Sequence, residues 1–284
     1  AWYETDLLPV FQSWFYLRGQ KNDLLIDGGF NFPLSTPSFL AAPNLTIEPN
    51  DTGEMLKTNI GIWSDFTASI PDEKPFPGQK YPDEQIVRFL ATWKRRKRND
   101  YFSTNIGSED DDIFSENMKA LEINSLNPIH LEVMHGFGYR AYGVSYMPST
   151  IMACRNGLSI RGLDKNVKMG QWDGHFLPFK DAEMSMVIAG KAGYYQPNQN
   201  EFAKEVGRIV KPGGEIFLFY LSSRHSYCRY LDQVKGNIFR FNEQHPNPKL
   251  VGAYIFFASP LALEKIWGPW FKVEIKYFEF NTWY

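Results

Sequence analysis

The fold of this chain is decided by residues 119–149, KALEINSLNPIHLEVMHGFGYRAYGVSYMPS. The run ALEI predicts a buried strand, and the turn NSLNP follows it. The segment IHLEVMHGFG then predicts a helix, and YRAYGV predicts a second strand that ends at Ser145. A strand, a crossover helix and a second strand make up the unit from which parallel sheets are built.

Apolar runs alternate with amphipathic segments through the rest of the chain. This alternation predicts an α/β domain with a doubly wound, mostly parallel sheet. A helix, a turn at Gly213 and Gly214 and a buried strand are predicted in VGRIVKPGGEIFLFY, residues 206–220, since glycine supplies the dihedral angles of a tight reversal. The further strand-like runs are NVKMGQ, MSMVIAG, YIFFAS and FKVEIKYFEF.

The order of three segments resembles the second half of a class I methyltransferase of the type 11 kind, the family that uses S-adenosylmethionine. The segments are ACRNGLSIRGLDKNVKMG, GQWDGHFLPFKDAEMSMVIAG and VGRIVKPGGEIFLFY. The resemblance covers residues 81–280 and implies the Rossmann-like methyltransferase fold with a seven-stranded sheet.

The resemblance also implies a cofactor turn. In the family, the first strand ends in an acidic residue and a Gly-x-Gly-x-Gly turn follows. Here the acidic residue is Glu122, and the three glycine positions fall on Asn124, Leu126 and Pro128. The segment HGFGY is rejected as the glycine turn, because only residues 140–142 would remain before the second strand.

The implied cofactor site contains Glu122, Asn124, Ser145, Asp173, Gly174 and His175. Asp173 keeps the carboxylate that accepts from the adenine amine in the family, whereas Ser145 replaces the acid that binds the ribose hydroxyls. We expect Leu126 to occupy ligand space. A hydrogen bond to a charged group contributes about 1.5–3 kcal/mol, so the changes together predict a loss of affinity on the order of 10² to 10⁴.

From this loss we expect no cofactor and no catalytic residue. The chain is therefore predicted to be a non-catalytic methyltransferase-like protein, a structural or scaffolding subunit of a larger assembly. The first alternative is a divergent methyltransferase with S-adenosylmethionine as cofactor. The second is a binding module for another small ligand in the former cofactor cleft.

Two regions are predicted along the chain. Residues 1–80 are read as an N-terminal arm, mostly extended, with short strands around a turn at residues 20–23. Residues 81–284 are read as the methyltransferase-like domain, with a helix at 82–97, an acidic linker at 106–117 and the sheet core at 119–284. Other protein subunits are expected to bind the arm and aromatic surfaces. The proposed anchors are Trp2, Trp14, Phe15 and Trp63.

Length, composition, charge and the numbers of histidines and cysteines limit which kinds of protein and which kinds of site are expected. A chain of 284 residues with 43% hydrophobic residues can bury a sizeable core. A net charge of -2 does not indicate a nucleic-acid partner, although one is possible. No apolar run reaches the roughly 20 residues of a transmembrane helix. The five histidines lack metal-ligand spacing, and the two cysteines make no disulfide framework. The chain begins at Ala1, which fits removal of an organellar targeting segment or a start within a longer protein.

Overall fold

The computed structural model describes residues 10–21, 49–68, 81–92, 118–190, 192–221 and 225–282. The helices are α1 Pro49–Ala68, α2 at residues 84–92, α3 Ile129–Gly136, α4 Pro148–Ile160, α5 Gln199–Ile209 and α6 Pro260–Trp267. The strands are β1 Val10–Lys21, β2 Lys119–Ile123, β3 Arg140–Ser145, β4 Val167–Gln171, β5 Met184–Ala189, β6 Val210–Leu221, β7 Leu231–Lys235, β8 Ile238–Phe241, β9 Tyr254–Phe256 and β10 Phe271–Thr282.

The main sheet has seven strands in the order β10-β1-β6-β5-β2-β3-β4. The five strands from β2 to β6 are parallel, and β1 is antiparallel to both of its neighbours. From β2 the chain winds outward through β3 and β4 and then returns to the other side of β2 for β5 and β6. This reversal is the doubly wound arrangement, and the predicted fold class is confirmed.

The strand sequences reflect their places in the sheet. All six residues of β5, MSMVIA, are buried, as expected of a central parallel strand covered on both faces. The edge strand β4 instead alternates at its start, with Val167 and Met169 buried and Lys168 exposed. The run YIFFAS is an exception, because its strand β9 belongs to a separate antiparallel sheet of order β7-β8-β9. Its predicted place in the main sheet is wrong.

The strand β1 comes from the N-terminal region but lies inside the sheet. It pairs with β10 along its whole length, from Val10 opposite Thr282 to Lys21 opposite Phe271. It also pairs with β6 over residues 14–20. Gly19 is needed where β1 lies beside the start of β10, since a Cβ there would lie 2.7 Å from the Cβ of Phe271. The division at residue 80 stays a prediction, but residues 10–21 share one sheet with residues 119–282.

The helix α1 occupies residues that were predicted to be extended, and that prediction is wrong. Its inward face is formed by residues 52, 56, 59 and 63, a spacing of four, three and four that fits a helix. The pattern is hard to see because Thr52 and Asn59, both buried, are polar. Pro49 stands in the first turn, where proline is tolerated.

Asn59 fixes α1 to two other parts of the molecule. The side chain is fully buried, and its Nδ2 donates to the carbonyl oxygens of Tyr195 and Tyr254, each at 2.9 Å. Its Oδ1 accepts from the backbone N–H of Tyr254 at 2.7 Å. Trp63 packs edge-on against Tyr195 with ring centroids 5.0 Å apart, so this ring is an internal contact.

The helix predicted at residues 82–97 is found at residues 84–92, and residues 93–117, including the acidic linker, lie outside the described residues. Trp2 and residues 22–48 also lie outside them, and the side chains of Trp14 and Phe15 are not described. Among the described residues, no helix combines the length and apolar character that crossing a bilayer requires.

Replacement of Asn59 by alanine should destabilise the protein. The substitution leaves two carbonyls and one N–H without their partner, and each buried orphan costs about 1–3 kcal/mol. We expect urea denaturation to show a loss of about 3 kcal/mol or more in the free energy of unfolding. The matched control is Thr58→Ala at the exposed neighbouring position, expected to change it by less than about 0.5 kcal/mol. Equal stability of the two variants would contradict a fixing role for Asn59.

Deletion of residues 1–21 should abolish cooperative folding. The deletion removes an internal strand and leaves the facing edges of β6 and β10 without their ladders. Thermal denaturation followed by circular dichroism should show no cooperative transition, whereas deletion of residues 1–9, which leaves β1 complete, should preserve it. A truncation at residue 21 that melts like the full chain would show that β1 is dispensable.

Candidate functional site

The carboxyl ends of the parallel strands meet at one edge of the sheet, called here the carboxyl edge. Glu122 and Asn124 lie at the end of β2, Ser145 ends β3, and Asp173 follows β4. Strand order reverses between β2 and β5. Open α/β sheets bind ligands at such a reversal, outside the carboxyl ends of the strands. The candidate site is therefore this edge.

Asn124 has the backbone conformation that a glycine would supply. Its φ is 56°, in the left-handed region that asparagine tolerates better than most residues. Its Nδ2 donates to the Tyr146 hydroxyl at 3.2 Å, and its Oδ1 accepts from the Ser145 hydroxyl at 3.3 Å. The first of the three glycine positions therefore keeps its conformation without glycine.

The other two glycine positions have structural roles. Leu126 is half-buried and packs against the hydrophobic core, which accounts for a leucine here without reference to a ligand. Pro128, with φ of -78°, immediately precedes α3, where its missing N–H leaves no helical bond unmade. Asn127 compensates at the helix start, because its Oδ1 accepts from the N–H of Ile129 at 3.0 Å.

Glu122 binds protein groups through both of its carboxylate oxygens. Its Oε1 lies 2.7 Å from Nδ1 of His130, and its Oε2 accepts from the Ser125 hydroxyl, also at 2.7 Å. The side chain is buried. Glu122 therefore stabilises the turn after β2 through its hydrogen bonds to Ser125 and His130. No group of three or more His, Cys, Asp or Glu side chains in the described ranges is placed to hold a metal ion.

Ser145 is completely buried at the end of β3. Its hydroxyl donates to Asn124 and accepts from the N–H of Met147 at 3.3 Å. Its carbonyl accepts from the N–H of Trp172 at 2.9 Å, which joins the ends of β3 and β4. The groups contributed by Ser145 and Asn124 are uncharged donors and acceptors.

The segment 173–176 is a tight turn beside α1. One carboxylate oxygen of Asp173, Oδ1, accepts from the N–H groups of His175 and Phe176, each at 2.8 Å, while the residue is exposed. Gly174 has φ of 89°, and a Cβ there would lie 2.8 Å from a methyl carbon of Leu56. Glycine is thus required by both the turn and the helix that covers it.

A cleft of about 1020 Å³ opens next to this turn, lined by parts of α1 and α5 and by Trp270. Gly174 and His175 line the cleft, whereas Glu122, Asn124, Ser145 and Asp173 do not. The six predicted residues therefore fall into two groups. In the first group Asn124 bonds to Ser145 and Glu122 bonds to Ser125 in the turn after β2, and the other three residues form the turn after β4.

Two aromatic residues at the carboxyl edge were not predicted. Tyr146 follows β3 and Trp172 follows β4, with ring centroids 6.1 Å apart. Burial raises the pKa of Tyr146, so its hydroxyl stays neutral and can donate or accept. The Trp172 Nε1 is buried without a hydrogen-bond partner. Both residues could have been found from the sequence, because each is an aromatic residue that directly follows the end of a strand.

Comparison with known proteins finds a match to the part of the chain from β2 to β6. Residues 121–218 match the family model described as a methyltransferase domain. A sterol 4-C-methyltransferase of Caenorhabditis elegans is 26% identical over 114 residues, which cover 40% of this chain and 34% of that relative. This chain thus spans about a third of the relative's length. The match confirms the resemblance to class I methyltransferases from β2 to β6.

Two solved structures are similar at lower identity. Geranyl diphosphate C-methyltransferase from Streptomyces coelicolor A3(2), in complex with Mg²⁺, geranyl diphosphate and S-adenosyl-L-homocysteine, is 12% identical, with 58% of this chain and 63% of that chain covered and a TM-score of 0.38. An S-adenosylmethionine-dependent methyltransferase from Aquifex aeolicus is 15% identical, with 55% and 72% covered and a TM-score of 0.38.

Substitutions at Asn124 should separate backbone conformation from side-chain bonding. Asn124→Gly keeps φ of 56° without strain but loses two hydrogen bonds, each contributing about 0.5–1.5 kcal/mol. Asn124→Ala loses the same bonds and adds left-handed strain of about 1–2 kcal/mol. We expect the free energy of unfolding in urea to fall in the order wild type, glycine, alanine.

A positive control for the same strain lies outside the site. Ala182 has φ of 52°, so Ala182→Gly should stabilise the protein by up to about 1 kcal/mol. Equal stability of the glycine and alanine variants at position 124 would show that the conformation of the turn is not constraining.

Proposed function

We propose that this chain binds S-adenosylmethionine and transfers its methyl group, since residues 121–218 match the family model described as a methyltransferase domain. The proposal rests on the turn after β2, where Asn124 adopts φ of 56°. A degraded turn was the main reason to expect a non-catalytic protein. With the backbone conformation retained and Leu126 packed against the core, that reason loses most of its weight.

The residues at the carboxyl edge fit the cofactor at its adenine and ribose parts. The second carboxylate oxygen of Asp173 would accept from the adenine amine, since the first already closes the turn. Where the family has a carboxylate for the ribose, this chain has the uncharged pair Ser145 and Asn124; since Ser145 is fully buried, Asn124 Nδ2 would have to exchange its 3.2 Å bond to the Tyr146 hydroxyl for a bond to the ribose. The neutral ribose contacts predict weaker binding than a carboxylate would give.

When bound, S-adenosylmethionine supplies an electrophilic methyl group on a positively charged sulfur. The protein's part in such a transfer is mainly to position the acceptor, so catalysis does not require a base among the described residues of the edge. Binding of the cofactor is therefore the first step to test.

A non-catalytic scaffolding role is the second candidate. It is favoured by the hydrogen bonds within the site, since both carboxylate oxygens of Glu122 and the Oδ1 of Asn124 already have protein partners. A turn of this kind is stable without a ligand. Incorporation of the chain into an assembly through its N-terminal region or aromatic surfaces belongs to this candidate.

Calorimetry with S-adenosylmethionine separates the two candidates. We expect a dissociation constant below about 100 µM, and Asp173→Asn should raise it at least about tenfold, because the charge is lost while the amide oxygen can still close the turn. The matched control is Asp164→Asn, at an exposed carboxylate in the loop between α4 and β4, which should leave the constant unchanged. A wild-type constant weaker than about 1 mM would favour the scaffolding role.

A further inference from the structure

A buried histidine joins the cofactor turn to the start of α2. His130, near the start of α3, is 6% exposed and lies between two acidic residues. Its Nδ1 is 2.7 Å from Glu122 Oε1, and its Nε2 accepts from the backbone N–H of Asp83 at 3.0 Å. The Asp83 carboxylate is farther away, with Oδ2 3.9 Å from Nε2.

These contacts specify the protonation state of the ring. A backbone N–H can only donate, so Nε2 must be the unprotonated nitrogen. The single ring proton then lies on Nδ1, where it is donated to Glu122. The bond to the Asp83 N–H exists only while His130 is neutral, because an imidazolium has no acceptor nitrogen.

The two ends of this chain of hydrogen bonds belong to different parts of the site. Asp83 is the residue from which α2 starts, since its carbonyl accepts from the N–H of Val87 at 3.0 Å. Helix α2 is anchored further along by Ile86 and Leu90, both fully buried. At the other end, Glu122 holds the turn through Ser125. His130 therefore connects Asp83, the residue that precedes α2, with the turn after β2.

We propose that His130 is a positioning residue that acts as a proton-sensitive clasp between α2 and the cofactor turn. Neutral His130 holds the start of α2 on the turn through the Asp83 N–H. Protonation adds a hydrogen to Nε2, breaks that bond and directs Nε2 towards the Asp83 carboxylate instead. The start of α2 must then shift. The effect on cofactor affinity rests on the proposed function, whereas the clasp itself does not.

The groups that face His130 are compatible with such a switch. Glu122 on β2 and Asp83 before α2 are the two carboxylates next to the ring. Cys154 on α4 interacts with Glu122, and burial together with that carboxylate raises the pKa of its thiol to about 12, so this thiol stays neutral. Histidine is the side chain whose charge ordinarily changes between pH 5 and pH 8, so these two pH values are compared.

Hydrogen exchange of the Asp83 amide, followed by NMR without cofactor, tests the clasp. After correction for the intrinsic pH dependence of exchange, we expect protection to be about tenfold higher at pH 8 than at pH 5. His130→Asn places a donor near Glu122 but has no group that reaches Asp83, so protection should be low at both pH values. His130→Gln places an amide oxygen near Asp83, so protection should remain and lose its pH dependence.

The control for this experiment is His135→Gln, a half-buried histidine on the same helix without a contact to Glu122 or Asp83 among the hydrogen bonds described above. It should behave as wild type. Wild-type protection that does not change with pH, or a glutamine variant that keeps the wild-type dependence, would overturn the proposal.

Cofactor affinity provides the second measurement. We expect calorimetry to show wild-type affinity for S-adenosylmethionine falling by about fivefold or more from pH 8 to pH 5, with a smaller change in His130→Gln. The ionisation of the cofactor itself is common to both proteins and cancels in the comparison. If the wild type ignores S-adenosylmethionine at both pH values while the Asp83 amide responds, the proposed function fails and the clasp stands. Equal pH dependence of affinity in both proteins would overturn the link to the site.

Discussion

The two backbone ladders of β1 hold the rest of the structure together. Strands β6 and β10 do not touch in the sheet; each is paired to β1, which comes from the other end of the chain. Without β1, the backbone N–H and C=O groups along the edges of β6 and β10 that face it would have only water as hydrogen-bond partners. The core would also lose Leu17, which is fully buried. The sheet is therefore complete only when an early segment and the last strand have met. Pairing of this kind is non-local and is expected to form late in folding.

The N-terminal region contacts both ends of the main sheet. At the end where the parallel strands begin, opposite the carboxyl edge, Lys21 donates to carbonyl oxygens of Gly207 and Val210, where α5 passes into β6. Helix α1 then covers the turn after β4 through Leu56. Asn59 ties the same helix to the loop after β5 and to the small sheet. Residues that looked like an arm for partners thus form part of the wall beside the carboxyl edge, and recruitment of other subunits stays a prediction.

The sequence predicts those parts of the structure that depend on local pattern. Buried runs such as MSMVIA and the strand-helix-strand unit at residues 119–145 are recognisable because each strand is apolar along its length. Helix α1 was missed because two of its inward residues are polar and bond to distant backbone. The place of β1 could not be predicted, because antiparallel pairing across about 200 residues leaves no local mark. The structure places Glu122, Asn124 and Ser145 at the carboxyl edge and the other three predicted residues in the turn after β4; their role in a site stays a prediction, and their bonding partners were not predictable.

The charges around position 145 explain why a serine can stand there in place of the acidic residue expected from the family. Glu122 is already buried at the end of the neighbouring strand, and its partners in the turn are a hydroxyl and a neutral imidazole. A second carboxylate at position 145, which is fully buried, would add a like charge with no cation described close to it. Such a pair disfavours ionisation of both groups unless a ligand supplies donors. Serine, bonded to Asn124 and to the N–H of Met147, instead yields a turn whose polar groups are satisfied in the free protein. Glycine at position 126 would by the same reasoning remove a packed side chain and cost stability, so the most informative changes to the site are those at Asn124, Asp173 and His130.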